Sequence, residues 1–164
     1  MLEPAQWLMD LEDRVKRLEE SPLTVFKYKK LHPDAHLYKK HKSDSCWDVF
    51  ATSKEEGTDF VEFGTGLAFD IPKGYEIKCY PRSSISNTPY ILTNSVGVID
   101  EDYKGEVKAR FKIIDEYRHL QGYEVGDRIF QIQLVKKVNA VPVETTDLLD
   151  SERGSGGFGS TGKK

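Results

Sequence analysis

Asp100 closes an apolar run, Val96–Ile99, and is followed within five positions by Asp102, Tyr103 and Gly105. A carboxylate held at a strand end can accept a proton from water, and a ring beside it can stack on a ligand. The same residues would also make an ordinary acidic turn. Pro81-Arg82-Ser83-Ser84 follows an apolar strand-like run and offers a fixed proline, a guanidinium and two hydroxyls, which suit a phosphate group or a plain surface turn. Asp44-Ser45-Cys46-Trp47-Asp48 sets two acids around an aromatic, either of which can serve as a turn residue. Gly126-Asp127-Arg128-Ile129, followed by Gln131, is a turn entering a strand, with Asp127–Arg128 as a simple turn pair for its alternative reading. From Ser151 the chain is glycine-rich and carries Arg153, Phe158, Gly159, Ser160 and Thr161. Its backbone amides, hydroxyls and guanidinium are the chemistry of an oxygen-rich anion site. The formal G-x-x-x-x-G-K match at Gly157–Lys163 is not a P-loop, which requires a preceding strand, a Ser or Thr after the lysine, and a following helix.

The elements that must position these groups follow from hydrophobic period. Leu8, Leu11, Val15 and Leu18 recur at three-four spacing, with Pro4 near the start and Ser21-Pro22 after the pattern, and predict a helix over residues 3–20. From Thr24 the period switches to two. Short apolar or aromatic runs at Thr24–Tyr28, Trp47–Thr52, Phe60–Phe63, Leu67–Ile71, Tyr75–Tyr80, Ile91–Thr93, Tyr123–Val125 and Ile129–Val138 are separated by Gly, Pro, Asn and Asp. Val96–Ile99 and Val107–Ile114 predict a hairpin around the Asp100 turn. Many short strands at regular spacing indicate an all-β sandwich or barrel. Residues 30–44 read as a polar loop whose His32, His36 and His41 are surface residues rather than metal ligands, and Cys46 and Cys79 as reduced thiols.

Composition narrows the function classes. The 164 residues are 38% hydrophobic and 31% charged, as expected of one globular domain with short extensions, and the net charge of −3 gives no global field for nucleic acid or an anionic membrane. No apolar run approaches membrane-spanning length and no secretory signal pattern opens the chain, which predicts a cytoplasmic protein without a membrane partner.

In order and content the polar segments resemble the five-motif signature of the trimeric dUTPases. Asp44–Ala51, Pro81–Ser86, Asn94–Glu106, Gly126–Gln131 and Arg153–Gly162 are similar to motifs one to five, and Gly64–Ala68 and Ile71–Tyr75 to the strand and turn before the second. The resemblance covers residue 24 onward. It implies a jelly-roll or distorted β-barrel domain at 23–142, an added helical extension at 1–22, and a flexible arm and lid at 143–164. It further implies a homotrimer with active sites shared between subunits, and hydrolysis of dUTP to dUMP and pyrophosphate with Mg²⁺. On that pattern Asp100 is the base that orients the attacking water, Tyr103 packs on the deoxyribose and rejects a 2′-hydroxyl, and Asn94 with the backbone to Gly97 reads uracil. Arg82, Ser83, Ser84 and Gln131 contact phosphates, and Arg128 pairs with an acid such as Asp48. Asp48 reaches the metal through water. Phe158 stacks on the base, while Arg153, Gly159, Ser160 and Thr161 close over the phosphates.

Cys46 and Trp47 stand where that family usually has glycine and tyrosine, and the helical extension lies outside its basic fold, where it suits a protein partner. A dCTP deaminase shares the implied fold and the Arg-Ser-Ser motif, but the Asp100–Tyr103 spacing and the Phe158 tail favour the triphosphatase. A nucleotide-sensing interaction protein is the reading from outside enzymology.

Overall fold

The computed structural model describes residues 24–155. The helix expected over residues 3–20 and the tail residues Phe158, Gly159, Ser160 and Thr161 lie outside the described residues.

The described chain is all-β. Its strands are β1 (Lys27–Lys30), β2 (Leu37–Tyr38), β3 (Trp47–Phe50), β4 (Ser53–Glu56), β5 (Phe60–Gly64), β6 (Leu67–Asp70), β7 (Tyr75–Pro81), β8 (Tyr90–Leu92), β9 (Gly97–Ile99), β10 (Lys108–Ile113) and β11 (Arg128–Lys136). The helical turns among the described residues are two 3₁₀ segments, Ser83–Asn87 and Asp115–Tyr117. Three antiparallel sheets result: a five-stranded sheet ordered β2-β3-β11-β7-β9, a four-stranded sheet ordered β4-β5-β10-β8, and the pair β1-β6.

Alternation drives this arrangement. In β10, Ala109 and Phe111 are buried while Lys108, Arg110 and Lys112 are exposed, the period-two pattern of a sheet with one wet face. The inward side chains meet in one core built on Phe63, Phe111, Phe130, Ile77, Ile129 and Ile132. Phe63, Tyr90, Phe111 and Tyr123 pack there as an aromatic cluster with centroids 5.7 to 6.5 Å apart. Edge-to-face and tilted contacts of this kind satisfy the ring quadrupoles.

Four expectations need correction. β1 starts three residues later than the Thr24–Tyr28 run. β2 and β4 arise where no strand is expected: β2 lies inside the supposed polar loop, and β4 (Ser-Lys-Glu-Glu) is an edge strand whose wet face has no apolar side chain to report it. Tyr123–Val125 is not a strand; Tyr123 turns its ring into the core and Val125 is exposed. The Asp100 turn does not join a hairpin. β9 pairs with β7, whereas β10 pairs with β5 and β8, so the chain crosses from one sheet to the other. Neighbours in sequence with matching alternation look like partners, but sheet-to-sheet crossings of a sandwich carry the same local signal.

Candidate active site

The crossing between β9 and β10 is fastened at both ends. Its turn closes with the Tyr103 amide donating to the Asp100 carbonyl at 3.1 Å. The Glu101 carboxylate accepts the Gly74 amide at 2.7 Å and pairs with Lys137 at 2.8 Å, and these two partners hold its carboxyl below the usual range, Lys137 contributing most. At the far end, Glu106 accepts the Gly66 amide at 2.8 Å. Asp100 therefore projects from a braced turn. The Tyr103 hydroxyl donates to the Glu106 carbonyl at 2.9 Å and lays its ring across Gly105. A β-carbon at position 105 would stand 2.6 Å from that hydroxyl, so the ring's position requires glycine. Asp100, Tyr103, Val98, Ile99 and Lys108 line one cleft of about 270 Å³.

Asn94 lies just upstream, in a turn where Ser95 adopts a left-handed φ of 57°. A non-glycine residue in that region is held there by its surroundings. The Asn94 amide nitrogen and the Cys79 β-carbon would each lie 3.1 Å from a β-carbon at Gly97, so glycine lets the Asn94 side chain, β9 and β7 close up together.

A second cluster gathers on the five-stranded sheet. Asp48 on β3 accepts Arg82 Nε at one oxygen and Arg128 Nη1 at the other, both at 2.9 Å. Arg82 also donates to Ser84 Oγ at 3.2 Å and to the Arg128 carbonyl at 3.1 Å. Gln131 donates to the Pro81 carbonyl at 3.1 Å. Residues 128 and 131 would face opposite sides of a regular strand, since side chains alternate. The register of β11 on β3 slips between Arg128 and Phe130, so that Arg128 faces Phe50, Phe130 faces Val49 and Gln131 faces Asp48. This bulge buries Ile129 and Phe130 in succession and brings Arg128 and Gln131 to one face beside Asp48. Arg82, Ser84, Tyr123 and Arg128 line a cleft of about 340 Å³. Ser83 is exposed at the start of the 3₁₀ segment.

Asp100 and Arg82 lie toward opposite ends of the β7-β9 pairing. Ile77 is level with Ile99, so Asp100 continues toward Glu76, and Arg82, one residue past the end of β7, is six residues further along the chain from Glu76. At the rise of a strand that separation is roughly 20 Å. Arg153 is exposed in a turn closed by Gly154, whose φ is 51°.

Among the described residues no three His, Cys, Asp or Glu side chains are arranged to hold a metal ion. Both oxygens of Asp48 receive guanidinium hydrogens, one from Arg82 and one from Arg128. This donor set fits a Mg²⁺ held by phosphate oxygens and water, not one caged by protein. His36 instead stacks on Phe50 with centroids 3.9 Å apart. The sequence reading missed Glu101 and Glu106 as braces and the bulge at Ile129. None has a local signal, because each depends on a partner far along the chain.

A dUTPase family model matches residues 50–162. A deoxyuridine 5′-triphosphate nucleotidohydrolase of Hydrogenobaculum sp. is 34% identical over 143 residues, covering 78% of this chain and 98% of the relative. The enzyme of the same name from Nautilia profundicola is 43% identical over 101 residues, 61% of this chain and 70% of the relative. Among solved structures, the Staphylococcus bacteriophage 80alpha dUTPase with dUpNHpp superposes with a TM-score of 0.71 at 24% identity, over 85% of this chain and 99% of that one.

Proposed function

The chain belongs to the dUTPase family, and from that membership we propose that it hydrolyses dUTP to dUMP and pyrophosphate in a homotrimer whose active sites are shared between subunits. The observation that carries the reading is the common cleft of Asp100 and Tyr103, in which a carboxylate and a fixed ring face one space. Asp100 takes a proton from a water as its oxygen bonds to the α-phosphorus. The bond from that phosphorus to the bridging oxygen breaks, and pyrophosphate leaves. Tyr103 packs against C2′ and leaves no room for a hydroxyl. Asn94 and the backbone to Gly97 pair with the uracil edge and oppose the amino group of cytosine, the kind of polar contact that discriminates sharply.

Arg82, Ser83, Ser84 and Gln131 contact the phosphates from a neighbouring copy. Two observations support the sharing. The roughly 20 Å between the clusters exceeds what one chain closes on a single phosphate. The extended segment after β11 exposes Val138, Val141, Val143, Leu148 and Leu149 at 82% to 99%, apolar surface that a lone chain does not cover. The arm, residues 143–164, crosses to another copy, where Phe158 stacks on the base and Arg153, Gly159, Ser160 and Thr161 close over the phosphates. A bound Mg²⁺ would offset the charge of the triphosphate, and Asp48 would help hold it through water. None of the described residues forms a helix long and apolar enough to cross a membrane, and a cytoplasmic location is part of the proposal.

The test is pyrophosphate release from a panel of nucleoside triphosphates with Mg²⁺. Selective turnover of dUTP is expected. Asp100→Asn should reduce it by roughly 10²- to 10⁴-fold, the usual worth of a positioned base, while dUTP still binds. Equal turnover of the four common deoxynucleotides would sink the proposal.

A further inference from the structure

The segment between β1 and β3 walls a third cleft. This cleft of about 420 Å³ is lined by Tyr38, Lys39, Lys40, Ser45, Asp48 and Gln131, with Asp44 and Cys46. Its acids are already engaged. Asp44 accepts the His41 amide at 2.9 Å, and Asp48 accepts Arg82 and Arg128. Burial pushes the Cys46 thiol up, with Lys39 opposing and Asp48 adding, so the thiol brings no negative charge near neutrality. The lysines are not matched in this way. Lys39 holds its ammonium 4.3 Å from the centre of the Trp47 ring, and neither Lys39 nor Lys40 has a carboxylate within salt-bridge distance among the described residues. The Arg128 guanidinium lies 5.4 Å from the ring of Tyr38, which lines the cleft. Lys39, Lys40, Arg82 and Arg128 set against Asp44 and Asp48 leave an excess of two positive charges. On a chain of net charge −3, this is a local reversal of sign. It adjoins Gln131 and Asp48, the phosphate-side residues of the proposed site.

We propose that Lys39 and Lys40 bind the pyrophosphate end of the substrate, holding the β- and γ-phosphates during turnover and the free pyrophosphate before it departs. The assignment of the substrate rests on the dUTPase reading; the affinity for pyrophosphate does not. Ammonium groups on flexible stems suit an anion that changes shape as its bond to the α-phosphorus breaks, because they follow charge rather than a fixed plane. Contacts made equally before and during the chemical step act on KM and not on kcat.

Calorimetry on the full-length protein, with inorganic pyrophosphate and Mg²⁺ and no dUTP, tests the site directly. The double variant K39Q/K40Q should weaken pyrophosphate binding roughly tenfold, the scale of a lost charged hydrogen bond. Binding of dUMP should be unchanged. KM for dUTP should rise by a similar factor with kcat within about twofold. K39R/K40R should restore most of the loss. Should the double variant fail to fold, Lys40→Gln alone, which leaves Lys39 on Trp47, should give a smaller loss of the same kind. Unchanged pyrophosphate affinity, or equal loss of dUMP and pyrophosphate, overturns the proposal. Lysine-dependent pyrophosphate binding without dUTP turnover would instead overturn the hydrolytic reading alone.

Discussion

Asp100 and Tyr103 are recognisable by residue type, because a carboxylate and a ring close together advertise chemistry. Gly105 is not, since a turn glycine is expected whatever lies nearby. Its role comes from a contact: the Tyr103 hydroxyl would be 2.6 Å from any β-carbon there. Gly105→Ala must therefore swing the ring away from its hydrogen bond to Glu106. The expected result is loss of sugar selectivity, with the kcat/KM ratio of dUTP over UTP falling roughly tenfold, a typical worth for one methyl-sized change in a pocket. Parallel kinetics with the two nucleotides measure this. If the ratio stays fixed while both activities fall together, the glycine serves the fold and not the choice of sugar. Asp48 shows the opposite limit of residue-level reading. Its pairing with Arg128 was implied by the family resemblance, but its simultaneous hold on Arg82 comes from strands brought together by the sheet and has no sequence signal.

Period two located β5, β6, β7 and β11, where one or both faces are apolar. It missed β4, whose side chains are polar throughout, and it misassigned the partners of β9 and β10, because alternation names a face and not a neighbour. The misassignment matters for function. A hairpin would hold Asp100 by its own ladder, whereas a sheet-to-sheet crossing needs outside fastening, which Glu101 provides through Gly74 and Lys137. The Glu101 carboxyl is held below its ordinary 4.5, so its contribution is full above that value and is lost as pH falls through the lower folded value. Hydrogen exchange at the Gly74 amide, corrected for intrinsic chemistry, should quicken in the unmodified protein as pH drops below 4.5. Glu101→Gln should abolish this pH step. An identical step in both proteins would assign the fastening to another carboxylate.

At the scale of the molecule, the roughly 20 Å between Asp100 and Arg82 supports the proposed site built from two subunits. Asp100→Asn and Arg82→Ala, each inactive alone, should therefore complement each other when unfolded together and refolded. With random mixing in a symmetric trimer, and Asp100 and Arg82 of each site drawn from different subunits, about a quarter of the sites receive both intact groups. Specific activity near that fraction is expected, and none at all would mean that each chain carries its own complete site. The sequence gives the identities of these residues and their order, but not their distribution among copies, because spacing along a chain says nothing of a second chain. The exposed aliphatic arm after β11 has a further consequence in time. A freshly folded single chain presents its valines and leucines to water and, on the proposed sharing of sites, has no finished site, so its recovery of secondary structure should follow a rate independent of protein concentration. Recovery of turnover should then wait for collisions between chains, so that dilution is expected to slow the enzyme's appearance without slowing its folding.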